Sequence, residues 1–516
     1  MGQLPPLPLE DYYTFLRRHG QWDEHPDDIA LVCAANGFRE LTYSQLGRRI
    51  SGAAHALRGV GFAQGDVLHI HSHNAEQFVV GFLAATALGG TITASNPAYT
   101  ASELAALQLD ANPKLVLASR AYETVVNEAL DTNGGRLAAD AVHFLEDDSC
   151  FANAPPTDLP LPQLARPICP RTDVLALPYS SGTTDKPKGV MLSHANLQHN
   201  VAQVFAGGTN ATDRTLCVLP LFHVYGMSVL MGLSLSVRAR LVLLPRFEPV
   251  AFLEAMEKHR ITLGLFVPPI LLFLANDPRV QLYDLSALKR ISSGGDSLPP
   301  EVQTRLATQL GIRVEQGYGL SEIASTASFS YAALDVAPGS AGRLCPGNSG
   351  MIIDAQSGES LPAGQVGELV LRGPSVMLGY HGRPEATAEM MRPDSFLRTG
   401  DLASYDEKGN LFLHGRLKEL IKVKGLQVSP VEVESRLLEL PQVADAAVIG
   451  VADARSGQLP KAFVVLRPGQ CLTVEDAVEA LRPKLAEYKL PATVVFVDAI
   501  PKSPAGKILR RVLHDL

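Results

Sequence analysis

Regular alternation between short apolar runs and amphipathic stretches is the feature that most constrains the fold of this chain. Several of the runs end in Pro, Gly or Ser, among them "KLVLAS", "RLVLLP", "LGLFVPP" and "RISSGG", and helical patterns such as "VAFLEAMEKHR" separate them. Strands that alternate with helices form mostly parallel sheets covered by helices. The sequence therefore predicts an α/β protein built from layered sheets and helices.

The pattern changes twice towards the end of the chain. After about residue 340, segments such as "GELVLRGPSVMLGY" and "GNLFLHGR" are typical of strands joined by turns, which predicts a β-rich subdomain. From "GRLKELIKVKG" onward, the chain has strands and helices of its own, enough for a separate small α+β domain. We therefore predict a large N-terminal domain over residues 1–416 and a small C-terminal domain over residues 417–516.

Composition disfavours several classes of function. A net charge of −8 argues against non-specific nucleic-acid binding. The six cysteines are scattered without CxxC or metal-ligand spacing, which is typical of a reduced protein. The longest apolar stretch, "ITLGLFVPPILLFLA", is too short and too interrupted by proline to span a membrane, and the N-terminus lacks the pattern of a signal peptide. We therefore expect a cytoplasmic protein with no nucleic-acid partner and no membrane span.

The stretch "YSSGTTDKPKGVMLSH", over residues 179–194, has the composition of a phosphate-binding loop. Phosphates need accessible backbone N–H groups, hydroxyls and at least one cation, and this stretch offers all three. It is not a Walker A loop, because the pattern GxxxxGK[ST] is absent. By composition alone, a surface turn rich in Ser, Thr and Gly explains the stretch equally well.

Four other stretches carry weaker signals of the same chemistry. In "QGYGLSE", Tyr318 is suited to stack on a purine and Glu322 to hold a magnesium ion, although glycine-flanked turns of this kind are common. In "TGD", Asp401 is suited to accept hydrogen bonds from ribose hydroxyls, although a plain turn is the commoner reading. The basic segments "GRLKELIKVKG" and "PKSPAGKILRR", the second containing Lys507, are alternatively a solvated helical face and a basic tail.

Taken together and in this order, the five stretches resemble one superfamily. It contains acyl-CoA synthetases, nonribosomal adenylation domains and firefly luciferase, and the chain is similar in particular to 4-coumarate:CoA-ligase-like enzymes. The likeness extends from "LTYSQL" to "GKILRR" and includes "LPLFHVYGM", "GELVLRG" and "LAEYKLP". The resemblance implies that a carboxylate attacks the α-phosphorus of ATP, which gives acyl-AMP and pyrophosphate. A thiol, usually that of coenzyme A, then displaces AMP while a small mobile C-terminal domain turns between the two half-reactions.

The resemblance also implies roles for residues that match the motifs of the family. Lys507 is expected to bridge the substrate carboxylate and the α-phosphate, and His223 to orient the carboxylate, although a histidine between apolar neighbours is usually a core residue. Glu322, together with Thr184, is expected to hold Mg²⁺. The residues expected to bind ATP and AMP are Ser180, Ser181, Gly182, Thr183, Thr184, Lys188, Gln316, Gly317, Tyr318, Gly319, Ser321, Asp401, Arg416 and Lys422.

For the second half-reaction and the acid, the resemblance implies three further groups of residues. Lys418 matches the hinge position of the family. The residues expected to meet coenzyme A are Arg246, Lys424 and Gly425. The residues expected to line the acyl pocket are Tyr225, Met227, Val229, Gly294 and Gly295.

The chain departs from the family pattern at two places, and its substrate stays open. Asp185 stands where glycine is usual, and its charge near a triphosphate predicts weaker ATP binding, which Lys186 offsets in part. Asp296 and Ser297 replace a usual Ala-Pro pair and predict a more polar wall. An aryl-propenoic acid and a medium-chain fatty acid fit the pocket residues about equally. Two alternatives to a CoA ligase remain: an enzyme that loads an acyl carrier protein, and a non-catalytic acyl- or nucleotide-binding relative.

Overall fold

Strands and helices alternate along most of the chain, as the sequence predicts. The computed structural model describes residues 9–134, 136–180, 187–331, 336–424, 426–453, 455–503 and 506–516. The strands are β1 (Ile29–Cys33), β2 (Arg39–Thr42), β3 (Val67–His71), β4 (Thr91–Ala94), β5 (Leu115–Ala118), β6 (Val142–Phe144), β7 (Val174–Ala176), β8 (Tyr179–Ser180), β9 (Lys188–Ser193), β10 (Arg214–Cys217), β11 (Arg240–Leu243), β12 (Leu263–Phe266), β13 (Arg290–Ser293), β14 (Arg313–Tyr318), β15 (Ser328–Phe329), β16 (Arg343–Leu344), β17 (Ser349–Ile353), β18 (Gly367–Arg372), β19 (Gly379–Tyr380), β20 (Leu397–Tyr405), β21 (Leu411–Arg416), β22 (Ile421–Val423), β23 (Leu426–Val428), β24 (Val443–Asp453), β25 (Gly457–Leu466) and β26 (Thr493–Phe496). The α-helices are α1 (Tyr12–His19), α2 (Tyr43–Gly59), α3 (Glu76–Ala87), α4 (Ala101–Ala111), α5 (Glu123–Thr132), α6 (His194–Phe205), α7 (Leu233–Ser236), α8 (Pro249–Lys258), α9 (Pro268–Asn276), α10 (Pro300–Leu310), α11 (Pro384–Met390), α12 (Pro430–Leu438), α13 (Val474–Leu481) and α14 (Arg510–Leu513), and a π-helix spans Tyr225–Gly232.

The helix α2 shows how the sequence sets these boundaries. The Thr42 side chain accepts a hydrogen bond from the backbone N–H of Gln45, and the Gln45 side chain accepts one from the N–H of Thr42. This capping box satisfies two N–H groups that the first helical turn leaves without partners. Leu46, Ile50 and Leu57 then recur at helical spacing and are buried. The helix therefore begins at a polar cap and turns one apolar face to the core.

Two mainly parallel sheets form the largest part of the fold. The first has the strand order β16-β15-β14-β13-β12-β10-β11-β1-β2, and the neighbours from β14 to β1 are parallel. The second has the order β19-β9-β7-β4-β3-β5-β6, with parallel pairing from β7 to β6. The carboxyl ends of parallel strands meet at one edge of a sheet, where ligands bind in open α/β folds. The ends of β12, β13 and β14 share such an edge.

One continuous apolar core joins these two sheets. The helix α3 is buried along nearly its whole length and packs on β3 and β4. The helix α6 packs on β9 of the second sheet and on the π-helix, which in turn packs on β10 of the first sheet. Trp22, the single tryptophan of the sequence, is 2% exposed and donates its indole N–H to the carbonyl of Leu235 at 3.0 Å. The core between the sheets is therefore mainly apolar, with a few buried polar side chains on α6, such as Asn200 and Gln203.

Two smaller sheets complete the fold. The third, with the order β17-β18-β20-β21, is antiparallel and has its own small core. The fourth, with the order β23-β22-β25-β24 and β26 beside β25, carries α12 and α13 and has separate cores. The chain passes from the third sheet to the fourth through a single 3₁₀ turn, Leu417–Glu419. The predicted α/β fold, with a β-rich subdomain and a small α+β C-terminal part, is confirmed.

The part of the chain after β21 also contacts the first sheet and its helices. Arg305 on α10 donates to the side-chain oxygen of Asn276 at 3.0 Å, and Arg467, directly after β25, donates to the same oxygen. Burial and the neighbouring Arg305 lower the pKa of Arg467. Gly506 lies against the side chain of Val267, just beyond β12. Among the described residues, no helix combines the length and the apolar character that crossing a bilayer requires.

Candidate active site

A cavity opens at the carboxyl ends of β13 and β14. The loop after β13, the loop after β14, the start of the π-helix and a turn near the C-terminus all contribute to its wall. The sequence-predicted residues that line it are His223, Tyr225, Val229, Gly294, Gly295, Gly317, Tyr318, Gly319, Ser321 and Lys507. The structure therefore brings together residues that are almost 300 positions apart in the sequence, at the edge where the sheet topology predicts a ligand site.

Two of the glycines leave little or no room for a β-carbon. A β-carbon on Gly319 would lie 1.5 Å from the carbonyl oxygen of Ser325, a distance that only a backbone shift could relieve. A β-carbon on Gly294 would lie 3.1 Å from the ring of Tyr225, which borders the same cavity. The first glycine thus allows two backbone segments to approach each other, and the second keeps the cavity open beside an aromatic ring.

Tyr318, Asp401 and Arg416 form a connected polar group beside the cavity. The Tyr318 hydroxyl donates to Oδ2 of Asp401 at 2.6 Å, and Nε of Arg416 lies 3.2 Å from Oδ1 of the same carboxylate. Asp401 and Arg416 are direct neighbours across β20 and β21, so the sheet itself aligns this ion pair. Burial raises the pKa of Asp401, and the Arg416 charge opposes that rise. The carboxylate is held from two sides and keeps lone pairs for a ligand.

Glu322 is fixed by a residue that the sequence analysis did not select. The Tyr380 hydroxyl donates to Oε1 of Glu322 at 2.8 Å, and Nζ of Lys188 lies 5.1 Å from the centre of the Tyr380 ring. Met377 donates its backbone N–H to the carbonyl of Glu322 at 2.9 Å. No local sequence pattern indicates this role, because the hydrogen bond joins residues 58 positions apart.

Lys507 enters the cavity from the turn between Ser503 and Lys507. Ser503 donates its N–H to the carbonyl of Lys507 at 2.8 Å, and Lys507 donates its N–H to Oγ of Ser503 at 3.1 Å. Gly506, at a φ of +84°, allows the turn to close. Burial and the Arg416 charge lower the pKa of Lys507, whereas the carboxylates of Asp296 and Asp401 raise it. Among the described residues, the half-buried ammonium forms no hydrogen bond or ion pair, so it is suited to meet a ligand anion.

His223 borders the same cavity as a neutral ring. Burial, and then the charge of Lys507, lower the pKa of His223 to about 4. The backbone N–H of Tyr225 donates to its Nδ1 at 3.2 Å. Because Nδ1 accepts a hydrogen bond, the neutral ring carries its proton on Nε2. The side chain is consequently a hydrogen-bond donor near neutral pH and remains uncharged beside Lys507.

Several residues named from the sequence lie elsewhere. Gln316 uses its amide to bond the backbone of Leu298 on both sides and does not line the cavity. Met227 is fully buried in the main core, because it lies half a turn of the π-helix away from Tyr225 and Val229. That placement corrects its assignment to the pocket wall. Ser180 lies at the end of β8, beside Lys188 on β9.

Four further cations assigned from the sequence are also outside the cavity: Arg246 and Lys424 of the coenzyme A set, Lys418 of the hinge and Lys422 of the nucleotide set. Lys418, Lys422 and Lys424 are exposed, and Lys418 lies in the turn between the third and fourth sheets. Arg246 is exposed and lies near His73 and Tyr122. Burial, and then the Arg246 charge, lower the pKa of His73, whereas burial raises the pKa of Tyr122 and the Arg246 charge opposes that rise. Five residues assigned from the sequence lie outside the described part of the chain: Ser181, Gly182, Thr183, Thr184 and Gly425.

The oxygen donors near Glu322 fit a magnesium ion that arrives with a nucleotide. Mg²⁺ prefers oxygen ligands and is commonly held by one or two carboxylates together with substrate phosphates. Glu322 offers one carboxylate next to the cavity, with Oε1 held by Tyr380. Within the described ranges, no group of three or more His, Cys, Asp or Glu side chains is placed to hold a metal ion by itself. The arrangement suits a metal–nucleotide complex better than a resident ion.

Comparison with known proteins identifies the family. The model for AMP-binding enzymes matches residues 19–381, and the model for the C-terminal domain of AMP-binding enzymes matches residues 432–507. The chain belongs to the AMP-binding enzyme family. It is 35% identical to a 4-coumarate-CoA ligase of Narcissus pseudonarcissus and 36% identical to one of Humulus lupulus. Each comparison covers 98% of this chain and 93% of the relative.

Solved structures of this AMP-binding family have the same fold. ATP-bound MatB from Rhodopseudomonas palustris has a TM-score of 0.88 at 29% identity, with 98% of both chains covered. An anthranilate CoA ligase in complex with anthranoyl-AMP has a TM-score of 0.89 at 26% identity, with 99% of this chain and 98% of that chain covered. The protein is therefore an AMP-forming acid–CoA ligase, an ATP-dependent enzyme that makes an acyl adenylate and then a CoA thioester.

Proposed function

We propose that the enzyme activates an aryl-propenoic acid or a medium-chain fatty acid at the cavity beside Lys507, with Mg²⁺ as cofactor. The observation that carries the proposal is the convergence of Lys507, His223 and Tyr318 on one cavity. Burial lowers the pKa of Lys507, and the carboxylates of Asp401 and Glu322 are close enough to oppose that fall. A half-buried cation among aligned hydrogen-bond donors is suited to stabilise charge that develops in a transition state.

In the first half-reaction, an oxygen of the substrate carboxylate attacks the α-phosphorus of ATP. The bond from that phosphorus to the bridging oxygen breaks, and pyrophosphate leaves with the bonding electrons. Lys507 holds the attacking carboxylate and an α-phosphate oxygen together, and His223 donates from Nε2 to the carboxylate. Bound Mg²⁺, held through Glu322, would neutralise phosphate charge. Asp401 accepts hydrogen bonds from the ribose hydroxyls, and Tyr318 stacks on adenine.

The nucleotide set of this proposal also includes the glycines and serines of the loops. Gly317, Gly319 and Ser321 line the cavity beside Tyr318 and support a contact with the adenosine part. Ser180 and Lys188 lie side by side on β8 and β9, which supports a contact with the terminal phosphates. Arg416 acts through Asp401, to which it is paired.

In the second half-reaction, the sulfur of coenzyme A attacks the acyl carbon, and AMP leaves with the electrons of the acyl–oxygen bond. We propose that residues 417–516 turn as a unit about Lys418, which brings Lys424 towards the thiol. The exposed turn Leu417–Glu419 between two separate sheets supports a pivot there. The exposed cation Arg246 is proposed to meet the nucleotide part of coenzyme A.

The acid is proposed to lie between the π-helix and β13. Tyr225 and Val229 provide an aromatic and an apolar surface, and Gly294 and Gly295 leave space opposite them. We favour the aryl-propenoic acid because Tyr225 offers a ring for stacking. The printed names of the two ligases from Narcissus and Humulus support the same choice.

Pyrophosphate release with ATP, Mg²⁺ and a panel of aryl and fatty acids tests the proposal. Release that depends on aryl acids, and multiple turnovers only when coenzyme A is present, is the expected result. Release with turnover on an acyl carrier protein instead of coenzyme A would make the carrier protein the acceptor. No release with any acid, together with recovery in Asp185→Gly, would contradict the enzyme as it stands and leave a ligand-binding relative.

A further inference from the structure

Tyr380 stands between two charged groups of the proposed nucleotide site. Its hydroxyl donates to Oε1 of Glu322 at 2.8 Å, and its ring lies under Nζ of Lys188, 5.1 Å from the ring centre. The residue is 5% exposed. One buried aromatic side chain thus contacts a carboxylate through its edge and an ammonium through its face, which are the two ways in which tyrosine binds charge.

The backbone around Tyr380 fixes both partners. Strand β19 pairs antiparallel with β9, and Tyr380 is the direct partner of Val190, two residues beyond Lys188. Met377, three residues before Tyr380, bonds the backbone carbonyl of Glu322. The N–H of Tyr380 donates to Oγ1 of Thr387 at 2.8 Å, which ties β19 to α11. A short segment therefore holds the backbone and the side chain of Glu322 and lies alongside the strand that carries Lys188.

Tyr380 lies between the opposite charges of Lys188 and Glu322, which do not form an ion pair with each other. Lys188 and Glu322 form no ion pair within 4.0 Å of each other in the described structure, and the Tyr380 side chain contacts both. Burial and the Glu322 charge raise the pKa of Tyr380, so its hydroxyl remains a donor across the physiological range. Lys188 stays available for a phosphate, and Glu322 keeps its second oxygen for a divalent cation.

We propose that Tyr380 is a positioning residue that sets Glu322 and Lys188 at the spacing required by a metal–triphosphate complex. The inference rests on the proposed function for the identity of that ligand. The hydroxyl positions Glu322, which would bind the metal ion. The ring positions Lys188, which would bind the phosphates. The two contributions are separable by substitution, because phenylalanine keeps the ring and leucine removes both groups.

Calorimetric titration of the full-length enzyme with ATP, with and without Mg²⁺ and without any acid, tests the proposal. Loss of a hydrogen bond to a charged group should weaken MgATP binding to Tyr380→Phe by about tenfold, and should leave metal-free ATP binding unchanged. Tyr380→Leu should weaken the binding of both. The Tyr380→Phe variant should also need a higher Mg²⁺ concentration for half-maximal pyrophosphate release.

Tyr405→Phe is the matched control, because Tyr405 is a half-buried tyrosine whose hydroxyl is buried and has no hydrogen-bond partner among the described residues. It should bind MgATP like the unmodified enzyme. The proposal is overturned if Tyr380→Phe binds MgATP normally, or if it loses MgATP and metal-free ATP equally together with a lower melting temperature. Because these titrations contain no acid, they remain decisive even if no acid in the panel supports pyrophosphate release.

Discussion

Lys507 is a half-buried cation whose pKa depends on charges contributed by several parts of the chain. Burial and Arg416 lower its pKa, and Asp296, Asp401 and Glu322 raise it. Asp296, an exposed residue, also lies near Arg510 and Glu419. Asp296 thus contributes to the electrostatic field around the proposed catalytic lysine, and does not only make the cavity wall more polar.

Replacement of Lys507 by alanine should separate the two half-reactions. Without the half-buried ammonium, we expect acyl-AMP formation to fall by about 10²–10³-fold, which is typical of losing one preorganised charge stabiliser. Thioester formation from supplied acyl-AMP should change much less, because Lys507 has no proposed role there. Pyrophosphate release and CoA-thioester formation, measured separately, provide the check, and an equal loss in both would contradict the assignment.

Replacement of Asp296 by asparagine should shift the alkaline limb of the pH–rate profile for acyl-AMP formation to lower pH. The Asp296 carboxylate favours the charged form of Lys507, so its removal lowers the pKa of Lys507 further. The ammonium is then lost at a lower pH, and activity falls earlier on the alkaline side. Pyrophosphate release between pH 6 and about 10 measures the limb. Asp354→Asn, a half-buried residue just before a turn, is the control and should leave the profile unchanged.

At the scale of elements, the loops after β13 and β14 determine the shape of the site. Gly319 cannot accept a β-carbon without a backbone shift, whereas Gly294 faces the ring of Tyr225, whose far end can move. The two glycines are therefore constrained by different neighbours, a backbone carbonyl for Gly319 and an aromatic side chain for Gly294. The first preserves the loop geometry at the proposed adenosine site, and the second preserves the width of the acyl pocket.

Gly294→Ala should change acid selectivity more than nucleotide use. The added methyl group narrows the space beside Tyr225, so kcat/KM should fall by about 10- to 200-fold for bulky aryl acids and less for small acids. We expect a loss of about 1–3 kcal/mol in transition-state binding for the poorly fitting acids. The KM for ATP should remain within about twofold, because one methyl at the acid end touches no nucleotide contact. Gly47→Ala, on α2 with no atom within 4 Å of the added carbon, is the control.

How far the sequence predicts these elements depends on whether a contact is local. Alternating apolar runs predicted the sheets, and turn residues predicted where strands end, because both are properties of adjacent residues. The family motifs predicted most residues that line the cavity. Met227 was misplaced because a π-helix changes which side chains share a face. Tyr380 was missed because its partners arrive from distant segments, and the amide of Gln316 turned out to bind the backbone of Leu298.

At the scale of the whole molecule, two buried histidines link stability to pH. His69 and His71 both bond Oγ of Ser95, at 2.8 and 2.7 Å. Burial lowers the pKa of His69 to about 3 and that of His71 to about 4. The folded chain therefore keeps both rings neutral over a range in which the unfolded chain, with ordinary histidines near pKa 6.5, takes up protons.

The free energy of unfolding should fall as the pH drops from about 6.5 towards 4. In that window the unfolded state binds more protons, so each of the two histidines lowers the stability by about 1.4 kcal/mol per pH unit. Above pH 6.5 neither state holds the proton and the dependence on these groups vanishes. Urea unfolding at pH 7, 6 and 5 measures the slope. His69→Gln should show a shallower decline than the unmodified protein, and an unchanged slope would exclude His69 as a contributor.

The single tryptophan allows the unfolding of one core to be followed by fluorescence. Trp22 bonds the carbonyl of Leu235 and belongs to the core that joins the two large sheets, whereas the fourth sheet has separate cores. Intrinsic tryptophan fluorescence consequently reports melting of that core alone, whereas circular dichroism reports helices and strands throughout. Comparison of the two signals on one heated sample would show whether the C-terminal part loses its structure together with the large part or ahead of it. No dye, label or added tryptophan is needed.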